Sequence, residues 1–265
     1  MISKYIDYWI SINGVSQIIE IFEKQKIDIR FVGGCVRDAL LGNINSDIDF
    51  AVNCNTDYTS KILNQNNIVS LEYGKKYGTI TAVIEKKNYE ITSLREDINP
   101  TGRYAEIKFT NDWQRDASRR DFTFNAINVS AAGKVGDYFN GQQDIKNQQV
   151  KFIGSIDERI QQDYLRILRY FRFLGLFKSP NIIKGYEEVL YEHLPQLRKH
   201  VPNYRIRDEL LKILKNEFKM NSIFKHQNYK ETNTLITTIR KWWTEDSYDL
   251  GLHKCMNEID SLVVN

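Results

Sequence analysis

The stretch "FVGGCVRDALLGNINSDIDF" at residues 31–50 constrains this chain more than any other. "IDIRFV" (27–32) puts Ile27, Ile29 and Phe31 on one side, as a strand does. Gly33-Gly34 turns the chain, "VRDALL" reads as a short helix, and Gly42 stands where a C-cap is expected. "SDIDFAV" then reads as a second strand carrying Asp47 and Asp49. Such a unit needs helices packed on a sheet.

The rest of the chain extends that layout. Residues 15–26 have helical apolar spacing, with Val15, Ile18, Ile19 and Phe22 on one face, and a second helix is expected over 57–66. "GTITAVIE" and "NYEITSLR" read as a hairpin turning at Lys86-Lys87. Residues 95–112 lack periodicity and contain Pro100 and Gly102, which predicts a loop. Helix is expected again at 116–127, a short strand pair at 128–140, and almost wholly helical structure from 155 onward. The predicted fold is α+β: a head over 1–150, with a mixed or antiparallel sheet, and a helical region over 151–265.

Bulk properties narrow the function classes. No apolar run approaches the roughly 20 residues of a membrane span. The first residues, "MISKYIDYWISING", read neither as a secretion signal nor as a transit peptide. Cys35, Cys54 and Cys255 are odd in number and far apart, which suits a reducing compartment; a cytoplasmic location is expected. The net charge of +3 alone does not demand a nucleic-acid partner, but arginines cluster at 115–120 and 159–172.

On a strand, Asp47 and Asp49 project to one face while Ile48 and Phe50 pack behind them. Adjacent carboxylates repel unless a proton or cation lies between them, and Mg²⁺, held by one or two carboxylates and substrate phosphates, suits the pair. The same pair also reads as a polar strand edge facing water. Glu90 alternates with Tyr89 and Ile91 and shares the face of the aspartates if its strand lies beside theirs. Gly33-Gly34 lies between strand and helix, where backbone N–H groups favour an anion, and Arg37 in the first helical turn reaches the same phosphates. A tight turn alone explains the glycines equally well.

Further motifs stand in a fixed order. "GGCVRDALLG" and "DIDF" are followed by "RRDFTFNA" (119–126), "DYFNGQQDI" (137–145) and "QQDYLRILRYFRF" (161–173). Together, over residues 27–216, they resemble the class II tRNA nucleotidyltransferases, the CCA-adding enzymes, and their poly(A) polymerase relatives. The resemblance implies a polymerase-β-like head whose Asp pair binds Mg²⁺. It also implies a template made of protein, in which an Asp and an Arg read the base of incoming CTP or ATP, with a tRNA 3′ end as acceptor.

Carried onto this chain, it places metal-binding carboxylates at Asp47 and Asp49, with Glu90 as a third catalytic acid. Gly34 and Arg37 would hold the triphosphate, and Arg120 would contact the nucleotide. Asp163 and Arg166 would read the base, supported by Arg169 and Arg172. The spacing of those four makes each an i,i+3 neighbour of the next, on a stripe that drifts around a helix and leaves Arg172 peripheral. A solvated face over a core of Leu165, Leu168, Phe171 and Phe173 is the plainer reading.

Two features depart from the family pattern. Gln162 precedes Asp163 where the family usually has Glu. "PNYRIRDELLKIL" (202–214) resembles the family's neck helices, and the remaining segment is short for a body and tail, so a reduced body is expected; "IRKWWTEDSYDLGL" (239–252) reads as a core-docking helix. Arg95, Asp97 and Arg103 lie in the 95–112 loop, as parts of a switch between C and A addition or of a plain surface loop. The expected activity is CCA addition, with poly(A) synthesis, CC- or A-only addition, or an idle RNA-binding head as alternatives.

Overall fold

The computed structural model describes residues 2–44, 47–98 and 106–216. The chain divides into two compact units, one of residues 1–100 and 104–145, the other of 101–103 and 146 onward. Arg103 and residues 239–252 lie outside the described residues.

The first unit opens with α1 (Ser3–Ser11) and α2 (Asn13–Lys24). There follow β1 (Ile29–Val32), α3 (Gly34–Leu40), β2 (Asp49–Val52), α4 (Thr56–Gln65), β3 (Val69–Leu71), β4 (Thr79–Ile84) and β5 (Lys87–Ser93). Next come β6 (Arg95–Ile98), β7 (Glu106–Phe109), α5 (Trp113–Ser118), β8 (Asn128–Ser130), β9 (Val135–Gly136) and α6 (Gly141–Lys146). Seven strands form one sheet in the order β3-β4-β5-β2-β1-β8-β9. Its pairs are antiparallel except β2 with β5, which run parallel, so the sheet is mixed as expected.

Register explains the fold. Ile80 pairs with Ile91, Ile91 with Phe50, Phe50 with Phe31, and Phe31 with Val129, a continuous apolar row across five strands. All five are buried, each worth roughly 1.5–3 kcal/mol relative to exposure. The helical layer lies on this face: Trp9 of α1 stands 4.8 Å from Phe31. A Cβ on Gly14 of α2 would meet Tyr89 at 2.6 Å. One residue back along the strands runs the opposite row, Thr81, Glu90, Asp49, Val32 and Asn128, on the other face. A one-residue slip would exchange the rows, exposing the apolar five and burying two carboxylates.

Several expectations need correction. The hairpin turns at Glu85-Lys86, not Lys86-Lys87; both have φ above zero (51° and 64°), as a two-residue turn between right-twisted strands requires. The predicted 95–112 loop begins and ends in strands, because β6 and β7 pair into a separate ribbon. Helix does not run through 116–127. It stops at Ser118, and a 3₁₀ turn covers Thr123–Ala126. Strand β2 begins only at Asp49, so Asp47 precedes it.

The second unit contains α7 (Ile156–Gln162), α8 (Arg166–Leu174), α9 (Tyr186–His200) and α10 (Asn203–Leu214). Leu165, Leu168, Phe171 and Phe173 are all buried, as predicted. Among the described residues no helix is long and apolar enough to cross a membrane.

Candidate active site

The face of the first sheet opposite α1 and α2 gathers the charged residues. Asp49 opens β2 and Glu90 lies on parallel β5, each one residue before the paired Phe50 and Ile91, so both project from the same face. Burial pushes the Asp49 carboxyl up to about 6, Glu90 and Asp47 push the same way, and Arg120 opposes them. Glu90 shares the face of Asp49 because β5 lies beside β2, an adjacency that alternation alone did not give. Asp47 is exposed while Asp49 is half-buried, so the two acids do not share one environment.

This surplus of negative charge fits a hard divalent cation, which would relieve the repulsion that Glu90 and Asp47 add to burial at Asp49. Among the described residues no three His, Cys, Asp or Glu side chains form a ready-made metal cage. A site of two carboxylates completed by water and substrate oxygens is the kind Mg²⁺ uses.

Gly33 closes the site from the other side. Its φ of 73° and ψ of −130° lie where L-residues rarely go. A Cβ there would stand 3.6 Å from Arg120 Nη1 and 3.8 Å from Asp49 Oδ2, so this bare backbone faces both charged groups. Gly34 is the first residue of α3, with Gly33 as its N-cap. The sequence pointed to the glycine pair but not to which member takes the unusual backbone.

The two head arginines differ. Arg120 follows α5 and donates through Nη2 to Asp116 Oδ2 at 3.4 Å and through Nη1 to the carbonyl of Asn125 at 3.4 Å. Arg37 Nε donates to Asp38 Oδ1 at 2.8 Å and its Nη1 to Asn125 Oδ1 at 3.0 Å. Asn125 in turn donates to Asp121. Arg37 is therefore braced by its neighbours, and it lies in the last turn of α3 rather than the first turn the sequence suggested. Asn125 and Asp144 hold the head together, Asp144 by accepting from Thr123 Oγ1 at 2.7 Å.

Sequence reasoning missed Asp116. Its side chain is 5% exposed and accepts from Arg119 Nε at 2.9 Å, from Arg120, and from the backbone N–H of Arg95 at 3.2 Å. Burial pushes its carboxyl up, but Arg119 and Arg120 outweigh burial and hold it below the usual carboxylate range. Burial, then Arg119, bring the Arg95 guanidinium down to about 10. The available signal was spacing: Asp116 lies three and four residues before the two arginines.

In the second unit, Asp163 does not belong to the helix that carries the arginines. It lies between α7 and α8 with extended backbone, accepting from Leu165 N–H at 3.1 Å and from Arg205 Nη2 at 3.2 Å. The expected stripe of four is therefore three arginines on α8 and an aspartate at the bend before it. Arg166 Nη1 donates to the Arg159 carbonyl at 2.7 Å and to Gln162 Oε1 at 3.0 Å, so the departing glutamine orients the arginine. Arg169 stands 5.5 Å from the centre of the Phe173 ring. Arg172 is 4.2 Å from the same ring and pairs with Glu209 of α10 at 2.6 Å.

The chain is similar to known proteins in sequence and in fold. Residues 29–151 match the family model of the poly A polymerase head domain. Over 163 residues the chain is 46% identical to the human (Homo sapiens) protein "CCA tRNA nucleotidyltransferase 1, mitochondrial", covering 61% of this chain and 38% of that one. It is 38% identical over 158 residues to the "CCA-adding enzyme" of Staphylococcus aureus (strain MRSA252), covering 59% and 38%. A crystal structure of the Bacillus stearothermophilus CCA-adding enzyme in complex with CTP is similar at a TM-score of 0.69 and 28% identity, covering 78% of this chain and 49% of that one. The chain matches 38% of the length of these curated relatives.

Proposed function

We propose, for a chain whose residues 29–151 carry the poly A polymerase head domain, that the protein is a template-independent RNA nucleotidyltransferase. It adds C, C and A to tRNA 3′ ends from CTP and ATP and releases pyrophosphate. The observation that carries this reading is the half-buried Asp49 carboxyl crowded by Glu90 and Asp47 and faced by Arg120 and Gly33. Two similar structures support the substrates: one is a CCA-adding enzyme in complex with CTP, the other a tRNA nucleotidyltransferase complexed with a primer tRNA and an incoming ATP analog.

Asp47 and Asp49 would hold Mg²⁺, which, when bound, supplies positive charge where the α-phosphate is attacked and pyrophosphate departs. The chain's own residues do the rest. Glu90 adds negative charge beside Asp49 and helps fix where a cation settles. Gly33 and Gly34 let backbone approach the triphosphate, while Arg37 and Arg120 hold its oxygens in the geometry of in-line attack. Asp163 and Arg166 select the base. The carboxylate accepts from the amino group of cytosine or adenine, the guanidinium donates to ring acceptors, and guanine or uracil would set a carbonyl against the carboxylate. Arg169 and Arg172 support that pair.

The test is incubation of the purified protein with a tRNA lacking its 3′ terminus, Mg²⁺ and each labelled nucleotide. CTP incorporation followed by ATP, with a fixed stop, is the expected result. The head-domain match favours one rival, a poly(A) polymerase, which would give an A ladder. Addition of only CC or only A would narrow the activity, and no incorporation would leave an RNA-binding head without catalysis. A cytoplasmic location belongs to the same proposal. The mitochondrial names of the human and Danio rerio relatives supply the contrary outcome for cell fractionation.

A further inference from the structure

We infer that Asp116 is the positioning residue that aims Arg120 at the nucleotide phosphates. This rests on the reading of the head as a nucleotidyltransferase site. Asp116 is buried and acts through the guanidinium it holds.

Three observations converge on it. First, Arg120 Nη1 lies 3.6 Å from where a Gly33 Cβ would stand, and Asp49 Oδ2 lies 3.8 Å from the same point. Arg120 is therefore the cation at the mouth of the site, and its direction matters. Second, the Asp116 carboxylate divides its oxygens: Oδ2 accepts from Arg120, while Oδ1 accepts from Arg119 Nε and from the N–H of Arg95. Those two Oδ1 contacts pin the carboxylate to the end of α5 and the start of β6, so Oδ2 is presented to Arg120 from a fixed base. Third, the Asp116 side chain is 5% exposed, and a carboxylate that deep persists only when cations and N–H groups surround it. Here they do: Arg119, Arg120 and the Arg95 N–H all contact it.

The sign of the effect separates positioning from bulk electrostatics. If Asp116 acted only as a charge, removing it would make the surroundings of Arg95, Arg119 and Arg120 more positive and would tighten binding of a polyanion. If it aims Arg120, its removal takes away the Nη2 hold while Nη1 keeps the Asn125 carbonyl, so the guanidinium turns about that contact and binding weakens despite the extra positive charge.

The experiment uses the full chain with Mg²⁺ and measures equilibrium binding of CTP and ATP together with kcat and KM for incorporation. Asp116→Asn is expected to raise nucleotide Kd and KM roughly ten- to a hundredfold with a smaller fall in kcat, the scale on which a misplaced group acts. In an Arg120→Ala background the same change is expected to alter binding by no more than about twofold, because residues acting through one another are not additive. Unchanged or tighter binding in Asp116→Asn, or an equal loss in both backgrounds, overturns the inference.

If Asp116→Asn does not fold, the charge-balanced Asp116→Asn/Arg119→Gln variant takes its place. There, Arg120→Ala must no longer weaken binding, and a loss as large as in the wild-type background overturns the inference. A wild type that binds nucleotide but incorporates none would sink the proposed function, while the binding measurements would still judge Asp116.

Discussion

The two units place their charged side chains by different means. In the head, strand register does the placing: the pairing that sets Phe50 beside Ile91 also sets Asp49 beside Glu90 on the opposite face. Neither carboxylate needs a side-chain bond to be held there, and the backbone ladder carries the precision. In the helical unit the side chains themselves do the placing. Asp163 is held by Leu165 N–H and Arg205, and Arg166 by the Arg159 carbonyl and Gln162. A site built on a ladder tolerates changes in neighbouring side chains, whereas a site built on side-chain bonds shifts when any partner changes.

Breaking the ladder-built site at its centre gives the largest effect. Asp49→Asn keeps the shape and removes the charge, so incorporation of both CTP and ATP is expected to fall by at least about a thousandfold, several kcal/mol of transition-state stabilisation. Chelation of divalent ions in the wild type should match it, with activity restored by Mg²⁺. Because register and not charge holds β2, the melting temperature should not fall. An Asp49→Asn protein that unfolds at lower temperature would mean the carboxylate also holds the fold.

The side-chain-built unit should respond in the opposite way at Arg172. Its partner Glu209 is 2% exposed, and among the described residues Lys212, 3.2 Å away, is the cation that would remain. Arg172→Ala is expected to cost about 3 kcal/mol of stability, the lower end for breaking a buried pair, with the ratio of CTP to UTP incorporation unchanged. A loss of base choice without a loss of stability would move Arg172 from scaffold to reader.

Asp163→Ala sharpens the contrast from within the same unit. It should relax base choice by about 1–3 kcal/mol, roughly ten- to a hundredfold in UTP or GTP incorporation relative to CTP or ATP. The rate with correct nucleotides should fall less. Equal loss for all four nucleotides would show that Asp163 does not select the base.

The same difference explains what could be read in the sequence. Period-two alternation marked β1, β4 and β5; Ile80, Ala82 and Ile84 of β4 and Tyr89 and Ile91 of β5 are buried on one face, with Ser93 buried in line with them and Val83 half-buried on the other. The adjacency of Glu90 to Asp49 was not legible, because β2 and β5 are parallel neighbours joined through α4, β3 and β4, and alternation carries no strand order. Helical spacing ran straight through "QQDYLRILRYFRF", yet the chain bends at Asp163, whose side chain takes the Leu165 N–H that a continuous helix would have used. The β6–β7 ribbon escaped notice because its strands are mostly charged, and the Pro100 and Gly102 between them dominate the pattern.

The smallest predicted effects separate the two glycines. Gly33→Ala forces a side chain into φ 73°, ψ −130°, at a cost of about 1–3 kcal/mol. Its Cβ would meet Arg120 and Asp49 only at ordinary contact distances, so backbone strain, not a clash, should lower the melting temperature. Gly34 begins α3 and has no positive φ, so Gly34→Ala should leave stability within about 1 kcal/mol of wild type. Any rise in nucleotide KM in that variant then reports on phosphate approach alone, and roughly tenfold is expected if the triphosphate lies against that backbone. An unchanged KM in Gly34→Ala, beside a raised one in Gly33→Ala, would assign the phosphate contact to the strained glycine and leave Gly34 a purely helical role.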